Sequence, residues 1–529
     1  MPSPFPRDRG RLWLQCNHKA PQRRASPGAV AIVSRLMATA SPPAAAPSAT
    51  PRPRRGALRH LPAVLTVVGV AALLELVYDR ILNFDARYAL LWARDLTRGV
   101  KPDYTADFAP TPHPLETAVS VLATPFDTGA DALLLWLTLL CFGALVWLTY
   151  RLGSELFSPW VGAVTALVVL TRPTLERDAL LGYQDTAFAA VIVGAVLLEA
   201  RNPRRGEAVL ALLAIAGLMR PEAWVLGGLY VLWMWPAVEN RRRLRLAAIA
   251  ALAPLLWALG DWLVTGDPLH SLHGTAELAE AKDRRRAPAQ APYWTAQYFG
   301  NTLREPLVAA IPAGLYFAWR HRLRRAALPL AVVAAMTTVF MIGPVFGLPL
   351  IGRYVRTPSV LLALFYGLAV CGWMLLPPGR ERRIWLGVGG VAAALSIAFL
   401  PWHVAMLGDL RDSLQTRARV YDDLRVAARS PALRRAVHAC GSRVSTTEHR
   451  PIPHLRWWLD TKPFSVGTIE AGASPLRRVL FTPRDTRAMR RFYREAFPRF
   501  RPPPGYRAIY RNRSWRALAA PGCVRRPPA

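Results

Sequence analysis

The chain has 529 residues, 52% of them hydrophobic, and its 67 Lys and Arg against 34 Asp and Glu give a formal net charge of +33. Nearly all of that charge is Arg, since Lys occurs only at Lys19, Lys101, Lys282 and Lys462. A balance this basic raises nucleic-acid binding. The Arg residues, however, sit in short clusters between apolar blocks of about 15 to 25 residues, the length of a bilayer-crossing helix, which excludes a soluble nucleic-acid protein and the alternating strands of a membrane barrel.

Residues 1–60 are rich in Pro, Ala, Ser and Arg and are expected to form a disordered cytoplasmic tail, with Met37 as an alternative translation start. The Arg clusters at 52–55, 151, 201–205, 241–245, 320–325 and 380–383 mark the cytoplasmic ends of spans. Between them the apolar blocks at 61–78, 131–150, 157–172, 179–199, 207–219, 222–236, 244–264, 304–320, 326–349, 358–377 and 384–401 read as spans, about eleven in all. An even number of spans separates each neighbouring pair of clusters, which supports splitting 207–236 into two short helices that meet at Arg220, Pro221 and Glu222.

The expected architecture is therefore an all-α polytopic protein of the cytoplasmic membrane, with a transmembrane domain over 61–401 and external loops at 79–130 and 265–303. Residues 402–529 follow as a small extracytoplasmic α/β domain, a helix over 409–430 and then short β-rich runs such as RRVLFTP and RAIYRNRSWRALAA. Cys440 and Cys523 bracket that region and, in an oxidising outer compartment, are candidates for one disulfide; Cys141 and Cys371 lie in apolar blocks as buried small hydrophobes. There is no CxxC and no zinc-ligand spacing, and neither a cofactor nor a metal is expected.

This orientation uses only Arg, yet it gathers the isolated ionisable residues at span ends on the external face. Asp85 follows the first span in FDARY, where a carboxylate either accepts a proton from a bound hydroxyl or caps the next helix. Asp95 lies ten positions on, facing a neighbouring direction, and His113 is held between two prolines in TPHPL. Asp185 opens the fourth span, Arg220 and Glu222 form a hairpin tip, and Asp267 and His270 stand in GDPLHSLHG. Arg353, beside Tyr354 and ahead of Arg356 in GRYVRTP, either grips a lipid phosphate with its forked guanidinium or snorkels to the headgroups at the interface. Asp103 and Asp107 read as solvated loop residues.

This arrangement resembles the C-type (GT-C) membrane glycosyltransferases, which include protein O-mannosyltransferases and bacterial lipid-linked-sugar transferases. The matching features are Asp85 just after the first span, His113-Pro114-Leu115 near the end of the same loop, Asp185 opening a later span, and Arg353-Tyr354 near the outer end of a late one. The resemblance implies an inverting transfer of a sugar from a polyprenyl-phosphate donor to an extracytoplasmic acceptor, a cell-envelope glycan, lipid or protein. Asp85 would then be the general base, and Arg353 with His113 would steady the leaving phosphate. Only one proline follows His113 where the mannosyltransferases have two, and Asp85 has no acidic neighbour, which leaves sugar and acceptor open. The alternatives are a multi-pass transporter or flippase and a non-catalytic membrane protein with a partner-binding outer domain. The absence of an internal repeat weighs against the first.

Overall fold

The computed structural model describes residues 60–484 and 502–523, all within one structural unit spanning 56–529. The tail of 1–60, Met37 included, lies outside the described residues apart from His60. A helix occupies every one of the expected spans: α1 (Leu61–Val77), α4 (Ala130–Leu156), α5 (Pro159–Leu170), α7 (Asp185–Arg201), α8 (Glu207–Gly217), α9 (Glu222–Met234), α10 (Asn240–Thr265), α13 (Leu307–Arg320), α14 (Ala327–Ile342), α15 (Arg356–Cys371) and α16 (Arg380–Ala398). Among the described residues, four helical stretches are long and apolar enough by themselves to cross a bilayer, or up to six if two bent pairs each count as one span. The chain is a multi-pass membrane protein.

The loops expected outside are themselves helical. Helices α2 (Phe84–Thr97) and α3 (Pro114–Ala123) lie between α1 and α4, and α11 (His270–Ala281) and α12 (Ala291–Leu303) precede α13. Pro114 and Pro159 open α3 and α5, positions where a missing N–H costs nothing, and the Ser158 hydroxyl accepts from the Val161 N–H to cap α5. Between α5 and α7 the chain forms a short separate helix, α6 (Pro173–Leu180), bent by 116° from α7. The fourth span therefore begins at Asp185 and not at 179, because Gly182 adopts φ +71°, a left-handed conformation that ends α6 and lets the chain turn.

Small residues bring the spans together, as expected where lipid is as apolar as leucine and packing must supply the association. A Cβ on Gly143 of α4 would strike the Val67 backbone of α1, and one on Gly153 would meet Gly162 of α5 at 2.7 Å.

After α16 the chain continues into α17 (Leu400–Arg429), longer than the helix expected from 409, and then α18 (Pro431–Ala439). Strands β1 (Val444–Thr446), β2 (Val466–Thr468), β3 (Val479–Pro483), β4 (Arg507–Arg511) and β5 (Trp515–Ala519) form one sheet, with α19 (Ile452–Trp458) between β1 and β2. The strand order is β2-β1-β3-β5-β4, with β1 parallel to both neighbours and the β3–β5 and β5–β4 pairs antiparallel. The short β1, β2 and β3 are buried on both faces, whereas β4 is the exposed edge. A disulfide joins Cys440 to Cys523, tying the end of α18 to the segment after β5.

Ion pairs join the sheet domain to the first loop. Arg456 of α19 has no exposed surface; its Nη1 donates to Asp103 Oδ1 at 2.6 Å, and its Nη2 pairs with Asp95. Arg94 donates to the Trp457 carbonyl at 3.3 Å and to Asp460 at 3.1 Å, and Asp107 accepts from the Thr468 N–H at 3.0 Å and from Ser474 at 2.5 Å. Asp103 and Asp107, expected to be solvated, are thus bonded into the sheet domain; the loop sequence alone does not show that the residues receiving them lie more than 350 positions away.

Breaking a buried pair strands its remaining charges, a cost of about 3–5 kcal/mol. Arg456→Gln should therefore lower the thermal unfolding midpoint of the detergent-solubilised protein by several degrees. Asp95→Asn, Asp103→Asn and Arg456→Met combined should recover much of the loss, because no unpaired charge then remains buried.

Candidate active site

Asn83 sets the geometry at the start of α2. Its side-chain oxygen accepts from the Asp85 N–H at 2.7 Å and the Ala86 N–H at 3.1 Å, while its amide donates to the Leu181 carbonyl at 2.7 Å. Asn83 is thus the helix cap, and the Asp85 carboxylate is left to reach outward. It accepts from Arg353 Nη1 at 2.6 Å. Burial works to raise the Asp85 carboxyl, but the Arg353 guanidinium outweighs it and holds Asp85 below the usual carboxylate range. Burial likewise works against the charge on Arg353, and Asp85 more than restores it.

The pair opens onto a cavity of about 700 Å³. Asp85, His113, Glu116, Asp185, Arg220, Glu222, Asp261, Arg353 and Tyr354 line it on the polar side, with Leu255, Trp257, Leu272, Phe340 and Phe346 among its apolar wall. Arg220 pairs with Asp185 and donates to Glu222 through Nη2 at 2.5 Å and Nε at 3.2 Å, so two carboxylates hold it. Its guanidinium lies 4.2 Å from the Tyr354 ring centroid. Among the described residues Arg353 has a single carboxylate partner, and it sits 5.1 Å from the Tyr183 ring centroid.

His113 occupies the cap position of α3 and meets Trp257 edge to face at 5.5 Å. Burial, reinforced by Arg353 and Arg220, pushes its imidazole down to about 3, so the ring is neutral. Among the described residues its Nδ1 is buried with no hydrogen-bond partner. One turn along α3, burial and then the charges of Asp85 and Asp185 push the Glu116 carboxyl up to about 8. Glu116 is therefore a neutral acid at pH 7 on the wall of a cavity that holds two arginines.

Of the residues singled out in the sequence, Asp85, His113, Asp185, Arg220, Glu222, Arg353 and Tyr354 share this cavity. Asp95, Asp267 and His270 do not. Asp95 is 4% exposed and pairs with Arg456, because its position on α2 faces the sheet domain and not the cavity. Asp267 turns to His273 at 2.7 Å in an exposed pair, and His270 lies 6.4 Å from the Tyr104 ring in a stacked arrangement. Among the described residues no three His, Cys, Asp or Glu side chains gather as a metal-holding group. Arg356 donates to Asp178 at 3.1 Å and to Thr302 at 2.5 Å behind the cavity wall.

Glu116 and Asp261 are wall residues that sequence reasoning passed over. Asp261 accepts from the Ser271 hydroxyl at 2.9 Å and backbone at 2.8 Å, and Ser271 in turn accepts from Trp257. A carboxylate inside the apolar block 244–264 was the available signal. Glu116 carried none, since an acidic residue in a first helical turn is ordinary.

No family model matches the sequence, and no curated protein does. Among solved structures, ArnT from Cupriavidus metallidurans bound to undecaprenyl phosphate aligns with a TM-score of 0.53 at 14% identity, over 89% of this chain and 100% of that one. The apo oligosaccharyltransferase of Archaeoglobus fulgidus aligns with a TM-score of 0.48 at 12% identity, over 78% of this chain and 65% of that one. The likeness to ArnT shows that this chain has the GT-C fold.

Infrared titration of the purified protein should reveal a carboxylic-acid C=O band that disappears as pH rises through about 8. The band should be missing from Glu116→Gln; its persistence in that variant would assign the proton elsewhere.

Proposed function

We propose that the protein is a membrane glycosyltransferase that moves a sugar from a polyprenyl-phosphate donor to an acceptor hydroxyl at the outer face of the cytoplasmic membrane, inverting the anomeric carbon. The observation that carries this reading is the Asp85–Arg353 pair on the wall of a cavity that is polar on one side and apolar on the other. That combination suits a lipid-linked anion: a guanidinium for the phosphate and hydrocarbon surface for the chain behind it. The ArnT structure of the same fold was obtained with undecaprenyl phosphate bound, which supports the same donor class here.

In this mechanism the acceptor oxygen attacks the anomeric carbon as the bond from that carbon to the phosphate oxygen breaks. The departing electron pair stays on the phosphate, and the hydroxyl proton passes to Asp85. Arg353 stabilises the charge that develops on the phosphate. As Arg353 turns toward the phosphate, Asp85 loses part of its counter-charge while staying buried, so the same event that binds the donor raises the basicity of the base. Arg220, held by Asp185 and Glu222, keeps its place and shapes the wall. His113, neutral and with Nδ1 unpartnered, offers a hydrogen-bonding position to the substrate without adding charge. The helices α2 and α3, the loop over 265–303 and the sheet domain lie on the extracytoplasmic side in this orientation.

Glu116 contributes by staying protonated. Its neutral form donates a hydrogen bond and spares the incoming phosphate another negative charge. The carboxyl is neutral below about 8 and ionises above it, so the repulsion appears as pH rises.

With radiolabelled polyprenyl-phosphate sugars, Asp85→Asn should cut transfer by ~10²–10⁴-fold while the protein still folds and inserts. Equal transfer by wild type and Asp85→Asn would sink the assignment of the base. The donor KM of the wild type should rise above pH 8, and Glu116→Gln should remove that rise; an unchanged alkaline limb in the variant would show that Glu116 does not face the donor.

A further inference from the structure

A second cavity, about 260 Å³, lies among α5, α13, α15, α16 and the start of α17, and the proposed transfer makes no use of it. Arg172, His403 and Arg304 line it. Arg172 is 8% exposed, and its Nη1 donates to the Leu303 carbonyl at 2.9 Å. His403 donates from Nε2 to the Thr171 carbonyl at 2.6 Å, which leaves Nδ1 to accept from Arg172 Nη2 at 3.5 Å. The Nε atoms of both Arg172 and Arg304 are buried and unpartnered. Among the described residues neither guanidinium has a carboxylate within ion-pair distance, and Arg304 makes no side-chain hydrogen bond. Glu305 also lines the cavity but is exposed, and Glu176, which acts on Arg172 from α6, is pushed up to about 7 by burial.

Arg172 is buried and Arg304 half-buried, and each keeps a buried Nε donor without a partner and no carboxylate within ion-pair distance among the described residues, an arrangement that an anion would complete. The backbone of Arg304 is held at φ +68°, a conformation that a side chain of this size rarely adopts, and it delivers the guanidinium into the cavity. The mouth is apolar: Leu167 is 60% exposed, and Leu400 and Trp402 are about half exposed, an aromatic and aliphatic rim of the kind found at the boundary between headgroups and acyl chains. The volume suits a headgroup and not a whole lipid, which leaves the chains to lie along α5 and α17.

We propose that this second cavity binds the phosphate of an anionic glycerophospholipid, with Arg172 and Arg304 gripping the phosphate and the acyl chains running out over Leu167, Leu400 and Trp402. The site is separate from the donor cavity and does not depend on the proposed transfer. It stands at the same end of the bundle as Arg353, since Leu303, which meets Arg172, follows Thr302, which bonds Arg356.

The test is native mass spectrometry of the delipidated full chain in detergent, titrated with dioleoyl-phosphatidylglycerol. Wild type should hold one tightly bound lipid that Arg304→Gln holds ~10-fold or more weakly, the loss of one charged hydrogen bond. Arg304→Lys should restore most of the binding. Because Arg304 bonds no other side chain, Arg304→Gln should melt with the wild type, which separates lost binding from lost folding. Asp85→Asn should bind the lipid as wild type does, so failure of the transfer reading leaves this result standing. Dioleoylglycerol, which lacks the phosphate, should not bind. Equal lipid binding by wild type and Arg304→Gln would overturn the site, and displacement of the lipid by millimolar inorganic phosphate would overturn its assignment to a lipid in favour of the free ion.

Discussion

The placement of Asp85 depends on an ion triad at the far end of the same helix. Arg456, without exposed surface, pairs with Asp95 near the end of α2 and with Asp103 just beyond it, and Asp103 also accepts from Trp92 at 3.1 Å. Arg94 and Arg98 add bonds to Asp460 at 3.1 and 2.7 Å. A short amphipathic helix between two apolar helices has little reason to hold one orientation by itself. Here one end is locked into the sheet domain and the other is capped by Asn83 against the carbonyl of Leu181, so the Asp85 carboxylate leaves the helix in a defined direction. The sheet domain thereby acts as a splint for the candidate base, whatever else it binds.

Within the cavity the arginines divide by how fully they are satisfied. Arg220 is held by Asp185 and Glu222 and by the face of Tyr354, and displacing it would strand two carboxylates. Arg353 has one carboxylate and a buried Nε without a partner, so it alone keeps donors in reserve for an anion. Arg172 and Arg304 likewise keep a buried Nε without a partner and, among the described residues, have no carboxylate within ion-pair distance.

Charge and hydropathy placed the helices well, because bilayer thickness and Arg bias act on the sequence directly. The site was legible where an ionisable residue interrupted an apolar pattern, as at Asp85, Asp185, Arg220 and Arg353. It was not legible where the decisive partner is remote: Asp95 looks like a site residue and Asp103 like a solvated one until Arg456, some 350 positions on, shows both to be structural. Glu116 was hidden for another reason. Its protonation comes from burial beside two carboxylates brought from other helices, and nothing local in PLETAV records that.

The two cavities are joined through α6. Arg172 caps its beginning and faces the smaller cavity, while Asp178 near its end is pinned by Arg356 and Arg177, and Tyr183 just beyond lies under Arg353. Asp178 is buried, yet its two guanidinium partners hold it below the usual carboxylate range, so this connection stays charged and rigid at neutral pH. A single two-turn helix thus has one end at Arg172 on the wall of the smaller cavity and the other near the Asp85–Arg353 pair of the larger one. Asp178 cannot leave its two guanidinium partners without stranding a buried charge, which holds that end of α6 in place. One short helix, fixed at its end by Asp178, thus links the walls of both cavities.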